Sequence, residues 1–229
     1  MAEGLAVLLA FAYAYLVGSI PSAYLAARLV KGIDIRRYGS GTVGASNVAQ
    51  HVGKGYSFAV ALFDGFGKGT GSVVVARVLG LDLEYQIAAA LLAVVGHNWS
   101  IYLKLSGGRG IAVTAGCLLP LAWKEMVALV GVSLLGWAVF RSTALWVGIA
   151  LLLLPAWAVL LGEPFVIVSL CAALLVLAVV KRLLSNPGMA PPELRWRDMA
   201  LPRLLFDRDT HGRDGWVTRT PGNPQGEDT

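Results

Sequence analysis

The sequence predicts an all-α, polytopic membrane protein of about seven transmembrane helices. Three observations predict it. Long apolar runs recur along the 229 residues, of which 56% are hydrophobic. Only 14% are charged, against about a quarter in a typical soluble domain. Lysine and arginine gather in alternate loops between the runs, the pattern that orients membrane proteins.

The runs fall at roughly 5–27, 57–79, 86–103, 110–123, 126–140, 142–161 and 165–180. A crossing needs about 20 apolar residues. The first run lacks the basic lead and small-residue cleavage site of a signal peptide, so it is expected to be retained. The second carries Asp64 and Lys68 in its interior and Arg77 near its end. The fourth and fifth are short, so the alternative is five crossings plus a re-entrant pair. With seven crossings and the N-terminus outside, the inner loops receive Arg28, Lys31, Arg36, Arg37, Lys54, Lys104, Arg109, Arg141, Lys181 and Arg182. The outer loops receive Arg77 and Lys124. Removing the pair at 110–140 leaves the parity of later segments intact, so a cytoplasmic C-terminus is expected either way.

Residues 1–182 hold 13 Lys/Arg and 7 Asp/Glu, whereas the remainder holds 6 and 7. The positive excess thus belongs to the membrane part and reports orientation. It is not the footprint of a nucleic-acid binder. Cys117 and Cys171 both lie in apolar runs, which predicts buried thiols and no disulfide framework. Two domains are expected: a transmembrane domain over 1–185 and a cytoplasmic, largely disordered tail over 186–229. The tail opens Asn186-Pro187-Gly188, contains Pro191-Pro192 and mixes charges of both signs. Its amphipathic piece, Leu194 to Phe206, is a candidate to lie on the membrane surface.

Three loops carry the chemistry. Gly39-Ser40-Gly41-Thr42-Val43-Gly44-Ala45-Ser46-Asn47 follows the first run. Its glycines free backbone N–H groups to converge, and Ser40, Thr42 and Ser46 add hydroxyls, a donor set suited to phosphate. No Gly-Lys-Ser/Thr follows at P-loop spacing. The bland alternative is a basic loop that only orients the chain. The second stretch is Phe63-Asp64-Gly65-Phe66-Gly67-Lys68-Gly69. Asp64 and Lys68 share a helix face, and ionisable residues inside a span are functional candidates, or else a structural ion pair. The third is Gly96-His97-Asn98-Trp99 with Lys104-Leu105-Ser106-Gly107-Gly108-Arg109-Gly110. Gly107, Gly108 and Gly110 offer a second donor nest, and the Arg109 fork suits phosphate. For His97 a local hydrogen bond and a substrate contact are both open. No histidine has an Asp four intervening residues later, and neither a nucleophile elbow nor metal-ligand spacing is present. No cofactor or metal is expected. Any catalysis would rest on positioning and electrostatic stabilisation of phosphate.

These blocks resemble the bacterial acyl-phosphate:glycerol-3-phosphate acyltransferase family of integral membrane enzymes. The matching stretches are Tyr15 to Pro21, Gly32 to Arg36, Gly39 to Val48, Phe63 to Gly69, Gly96-His97 and Gly107 to Ala112, in the right order over roughly residues 10–118. The resemblance implies a seven-helix fold with its motifs at the cytoplasmic face of the bacterial inner membrane. It implies acyl phosphate and glycerol 3-phosphate as substrates, lysophosphatidic acid as product, and a substrate-assisted mechanism in which phosphate is the general base. The chain departs from the family pattern at Thr42, Ser46, Gln50 and Arg109, after Arg141, and before Leu183-Leu184. Carried over, Ser40, Asp64, Lys68 and Arg109 would be catalytic. Gly39, Gly41, Thr42, Gly44, Ser46, Asn47, His97, Gly107, Gly108 and Gly110 would bind substrate. Two rivals stand beside this reading: a catalytically weak paralogue that binds lipid precursors or regulates a true acyltransferase, and a small transporter of phosphorylated solutes. The acyl-chain length and oligomeric state are not readable.

Overall fold

A computed structural model describes residues 2–184, 195–208 and 219–221. All its described elements are helical. Helix α1 (Ala2–Ser19) and α2 (Ser22–Lys31) come first. They split the first apolar run, which the sequence presents as one segment, because Pro21 cannot donate to the helical ladder. A short 3-10 turn (Ile35–Arg37) follows, then α3 (Ala45–His51) and α4 (Lys54–Leu62). Next comes a π-helical stretch (Phe63–Thr70) running straight into α5 (Gly71–Val78). Helix α6 (Leu83–Asn98), a 3-10 turn (Ile101–Leu103), α7 (Ile111–Leu121), α8 (Trp123–Phe140), α9 (Thr143–Leu160), α10 (Phe165–Leu184) and α11 (Trp196–Phe206) complete the order.

Six segments are long and apolar enough to cross a membrane: Glu3–Lys31, Lys54–Val78, Leu83–Leu103, Trp123–Phe140, Thr143–Leu160 and Phe165–Leu184. The fourth predicted crossing is α7, apolar but only 11 residues long, or about 16 Å. Large apolar side chains cover the outside of the bundle; Leu29, Leu160 and Phe165 are at least 80% exposed. Such a surface belongs in lipid.

The main core joins α1, α5, α6, α7, α8, α9 and α10 through small residues, Ala10, Ala14, Ala89, Ala90 and Ala93 among them. Small residues let helix backbones touch, which is how membrane helices gain packing energy in the absence of a hydrophobic drive. At Gly116 on α7 a Cβ would lie 1.9 Å from the carbonyl oxygen of Gly65. The π-helical stretch and α7 are therefore in backbone contact, and Thr70 Oγ1 seals the pair by donating to the Gly116 carbonyl at 2.8 Å. A second, smaller core of Ala23, Ala27, Ile35, Val43, Val48, Val52, Val60 and Leu103 sits under the glycine-serine loop and fixes it to α2, α3 and α4.

Helix α11 covers part of the amphipathic piece expected in the tail. It packs against α9 and α10, with Met199, Pro202 and Arg203 buried. The remainder of the predicted tail, apart from residues 195, 207–208 and 219–221, lies outside the described residues.

Candidate active site

The π-helical stretch owes its shape to composition. Gly65, Gly67 and Gly69 weaken the preference for a tight α-helix, and π segments inside helices concentrate at functional sites. The stretch turns Asp64 and Lys68 inward, where they are 2% and 1% exposed. Lys68 Nζ lies 2.6 Å from Asp64 Oδ1. The same oxygen accepts a 2.6 Å bond from Ser22 Oγ, and Ser72 Oγ donates to the Lys68 carbonyl at 2.6 Å. His97, at the end of α6, brings Nδ1 to 3.4 Å from Lys68 Nζ and 3.9 Å from Asp64 Oδ2. Asp64, Lys68 and His97 thus form one buried polar cluster, with the half-buried Ser22 at its edge. A buried ion pair holds only when both charges have partners, and here each does.

The glycine-serine loop is knotted by Asn47. Its Nδ2 faces three carbonyl oxygens, Ile35 at 3.1 Å, Tyr38 at 3.0 Å and Thr42 at 3.1 Å. Gly39 and Gly41 take φ values of 51° and 66°, a region that only glycine enters at little cost. Their N–H groups are already engaged, with the Arg219 and Tyr38 carbonyls respectively. Donors facing a ligand must therefore come from elsewhere in the loop. Ser40 Oγ and Thr42 Oγ1 lie 2.8 Å apart, a linked pair of hydroxyls. Just before this loop, Asp34 caps the 3-10 turn and pairs with Arg36 at 2.6 Å. The Arg36 hydrogen bond holds the Asp34 carboxyl below its ordinary value. Replacing Asn47 by Asp would remove the three donations and press a carboxylate against three carbonyls. The expected loss of stability is about 2–4 kcal/mol, read as a fall in melting temperature in detergent; an unchanged melting temperature would show that the knot is dispensable.

The second glycine loop packs closely against His97. The Gly108 N–H donates to the His97 carbonyl at 3.1 Å, and the Gly107 carbonyl accepts from Val43 at 3.3 Å. A Cβ at Gly107 would lie 2.2 Å from the His97 carbonyl oxygen, and one at Gly108 would lie 2.2 Å from His97 Nε2. These glycines let the loop press against His97 and against the first loop. Arg109, which follows, donates from Nη1 to the Lys181 carbonyl at 2.8 Å and from Nε to Asp207 Oδ2 at 2.9 Å.

The two loops and the cluster meet at one cavity of about 610 Å³. Its lining includes Ser40, Thr42, Gly44, Ser46, Asn47, Asp64, His97, Arg109 and Gly110. Gly39, Gly41, Lys68, Gly107 and Gly108 are not part of the lining. Lys68 reaches the cavity through Asp64, and the glycines support the wall from behind. The lining also includes Gln50, Arg141, Ser142, Thr143, Arg182, Phe206, Asp207 and Arg208. Arg141-Ser142-Thr143 had a readable signal, a basic and hydroxyl turn between two apolar runs. Ser22 had none, being a lone hydroxyl beside Pro21. Asp207 had none either, because its partner Arg109 is distant in sequence.

The fold is that of an integral membrane protein whose cavity sets the side chains of Arg109, Arg141, Arg182 and Arg208 beside an otherwise largely apolar lining. Residues 8–186 match the glycerol-3-phosphate acyltransferase family. The glycerol-3-phosphate acyltransferase 4 of Dehalococcoides mccartyi (strain CBDB1) is 37% identical over 212 residues, 90% of each chain. The glycerol-3-phosphate acyltransferase of Prochlorococcus marinus (strain NATL2A) is 42% identical over 176 residues, 74% of this chain and 88% of that one. The crystal structure of PlsY (YgiH), an integral membrane glycerol 3-phosphate acyltransferase, in its glycerol 3-phosphate form superposes with a TM-score of 0.71 at 28% identity. The alignment covers 77% of this chain and 88% of PlsY. The lysophosphatidic acid form gives a TM-score of 0.69. The chain belongs to the glycerol-3-phosphate acyltransferase family, and it is a membrane acyltransferase.

Proposed function

We propose that the protein transfers an acyl group from acyl phosphate to a hydroxyl of glycerol 3-phosphate, giving lysophosphatidic acid and inorganic phosphate for phospholipid synthesis. The observation that supports this reading is the single cavity lined by Ser40, Thr42, Ser46, Asp64, His97 and Arg109. The acceptor hydroxyl attacks the acyl carbonyl carbon, the bond from that carbon to the phosphate oxygen breaks, and the hydroxyl proton leaves with the phosphate. Such a step needs no side-chain nucleophile. It needs two anions held in register and the developing charge stabilised.

In this reading Ser40, Thr42 and Ser46 hold one phosphate by hydroxyl donation, and Arg109 with the Gly110 end of its loop holds the other. Asp64 faces the acceptor hydroxyl, with Lys68 and Ser22 fixing its orientation. His97 forms the wall between Asp64 and the second loop. Gly39, Gly41, Asn47, Gly107 and Gly108 keep both loops in place. The acyl chain stays in the bilayer and reaches the cavity between helices. The relatives named above are acyltransferases, which favours this reading over a transporter.

We also propose an orientation with the N-terminus outside and the motif loops and C-terminus in the cytoplasm of a bacterial inner membrane. The uneven distribution of Lys and Arg supports it. Residues 1–185 would form the transmembrane domain and 186–229 a cytoplasmic tail.

The test is reconstitution of the purified protein in vesicles with acyl phosphate and glycerol 3-phosphate. Lysophosphatidic acid should accumulate. Ser40→Ala should lower kcat/KM by about 10- to 100-fold, the loss expected for a hydrogen bond to a charged group, with KM for one substrate affected first. Well-folded wild-type protein that forms no product would overturn the acyltransfer reading in favour of a weak, binding paralogue.

A further inference from the structure

The family match ends at residue 186, yet Asp207 lines the cavity from beyond it. Helix α11 delivers it, and reciprocal bonds dock that helix. Arg203, buried on α11, donates from Nη1 to the Leu183 carbonyl at 2.8 Å. In return Arg182 on α10 donates from Nη1 to the Leu204 carbonyl. Asp207 ends α11 in the left-handed region at φ 55°, its N–H bonded to the Arg203 carbonyl at 3.0 Å. Apart from glycine, asparagine, aspartate and histidine enter that region most readily. The turn satisfies the end of the helix, and it also aims the Asp207 side chain at Arg109.

Both carboxylate oxygens of Asp207 face Arg109 Nε, Oδ1 at 2.8 Å and Oδ2 at 2.9 Å. The Arg109 and Asp207 side chains are 12% and 20% exposed, so salt and water screen the contact weakly. Arg109 needs such an anchor. It stands between two glycines, and Gly110 takes φ 71°, so its neighbours constrain its backbone little. Its guanidinium rides on a long stem with many rotamers. The Lys181 carbonyl accepts from Nη1 at 2.8 Å, and Asp207 accepts from Nε. Two anchors, one from the end of α10 and one from the end of α11, fix the plane of the fork.

The same carboxylate also acts through its charge. The lining includes the guanidinium groups of Arg109, Arg141, Arg182 and Arg208. A phosphate monoester carries about −1.5 to −2 near neutral pH. The proposed reaction ends with two phosphate-bearing products, and both have to leave. A negative charge fixed on Arg109 opposes any phosphate drawn to that cation. Repulsion between anions a few ångströms apart outweighs the orientation gained from one hydrogen bond. The charge effect therefore sets the sign of the change in phosphate affinity, whereas orientation governs the rate.

We propose that Asp207 is a positioning residue for Arg109: it fixes the guanidinium toward a substrate phosphate and limits its hold, so that phosphate products leave. The inference rests on the proposed acyltransfer reading for the identity of the ligands, but its binding test does not need turnover.

The experiment compares the full-length wild type with Asp207→Asn, Asp207→Glu and Asp207→Gly in detergent, and places Asp207→Asn in an Arg109→Gln background. Affinity for inorganic phosphate is measured by calorimetry, and kcat and KM in vesicles. Asp207→Asn should bind inorganic phosphate about tenfold more tightly, while kcat falls about tenfold. A residue that merely held the fold together would weaken both. Asp207→Glu, which keeps the charge, should regain most of each change. Asp207→Gly, which enters the turn freely, should match Asp207→Asn and decides the matter if the latter folds poorly. Without Arg109 the gain in phosphate affinity should shrink to less than about threefold, because the nearest cation is gone. Phosphate affinity that is unchanged or weaker in the folded variants would overturn the proposal. So would a kcat within twofold of wild type, or a gain in affinity that persists in full without Arg109. A wild type that transfers no acyl group, with the phosphate affinities shifting as stated, would count against the acyltransfer reading alone.

Discussion

Replacing Lys68 by methionine is expected to cost about 3–5 kcal/mol of stability and nearly all activity. The side chain fits a methionine stem, so the loss is electrical and not one of volume. Asp64 would remain 2% exposed with its charge uncompensated, because Ser22 Oγ supplies only one neutral donor. Breaking a buried pair on one side is far worse than removing both partners. The double variant Asp64→Asn with Lys68→Met should therefore recover most of the melting temperature lost by Lys68→Met. It should not recover activity, since Asp64 lines the cavity. Thermal unfolding in detergent and acyl transfer in vesicles separate the two effects. If the double variant were no more stable than Lys68→Met alone, the ion pair would not be what holds the cluster.

Replacing Gly116 by alanine should be nearly as damaging, and for a purely steric reason. A Cβ there would stand 1.9 Å from the Gly65 carbonyl oxygen and 2.5 Å from its carbon. Both are backbone atoms, so no side chain can rotate away. Helix α7 must move off the π-helical stretch, which also breaks the Thr70 bond to the Gly116 carbonyl. Overpacking of this kind costs 1–3 kcal/mol and occasionally more, and the upper end, about 3 kcal/mol, applies to backbone on backbone. The prediction is a lower melting temperature and a poor yield of monodisperse protein. Gly131, whose surroundings are open, is the control: Gly131→Ala should be neutral. Wild-type behaviour of Gly116→Ala would mean that α7 does not touch the stretch.

Much of the bundle was legible because membrane helices announce themselves by length and apolarity. Trp123–Phe140 and Thr143–Leu160 begin and end within a few residues of their apolar runs. The first run was less legible, since Pro21 breaks it without lowering its hydropathy enough to show. The π-helical stretch was not legible at all. Asp64 and Lys68 are four apart, which an α-helix would pair equally well, and only the contact with α7 reveals why three glycines lie there. In the sequence the glycine-serine loop reads as a nest of donors, but two of its N–H groups are taken by backbone carbonyls, that of Gly41 by Tyr38 and that of Gly39 by Arg219 of the C-terminal segment. Nor does any local pattern encode the reach of Asn47 Nδ2 to the carbonyls of Ile35, Tyr38 and Thr42. Asp207 on Arg109 was invisible for the same reason, being a tertiary contact between a loop and a terminal segment.

The position of Asp64 within its span has one more consequence. It lies roughly ten residues in from Lys54, within the segment Lys54–Val78, or about 15 Å along the axis. That is close to half the thickness of a hydrocarbon core of about 30 Å. On the proposed reading, two phosphate-bearing heads would have to meet at that depth, below the level of the lipid headgroups. Glycerol 3-phosphate would have to descend from water and exchange its hydration for the hydroxyl and guanidinium groups of the lining. The phosphate end of a fatty acyl phosphate is charged and stays with the headgroups, so it too would have to be drawn inward to meet Asp64, while its chain remains among the lipid tails. On that reading the cavity is a shared way down for two anionic heads, and only the hydrocarbon tail of one of them stays in lipid throughout.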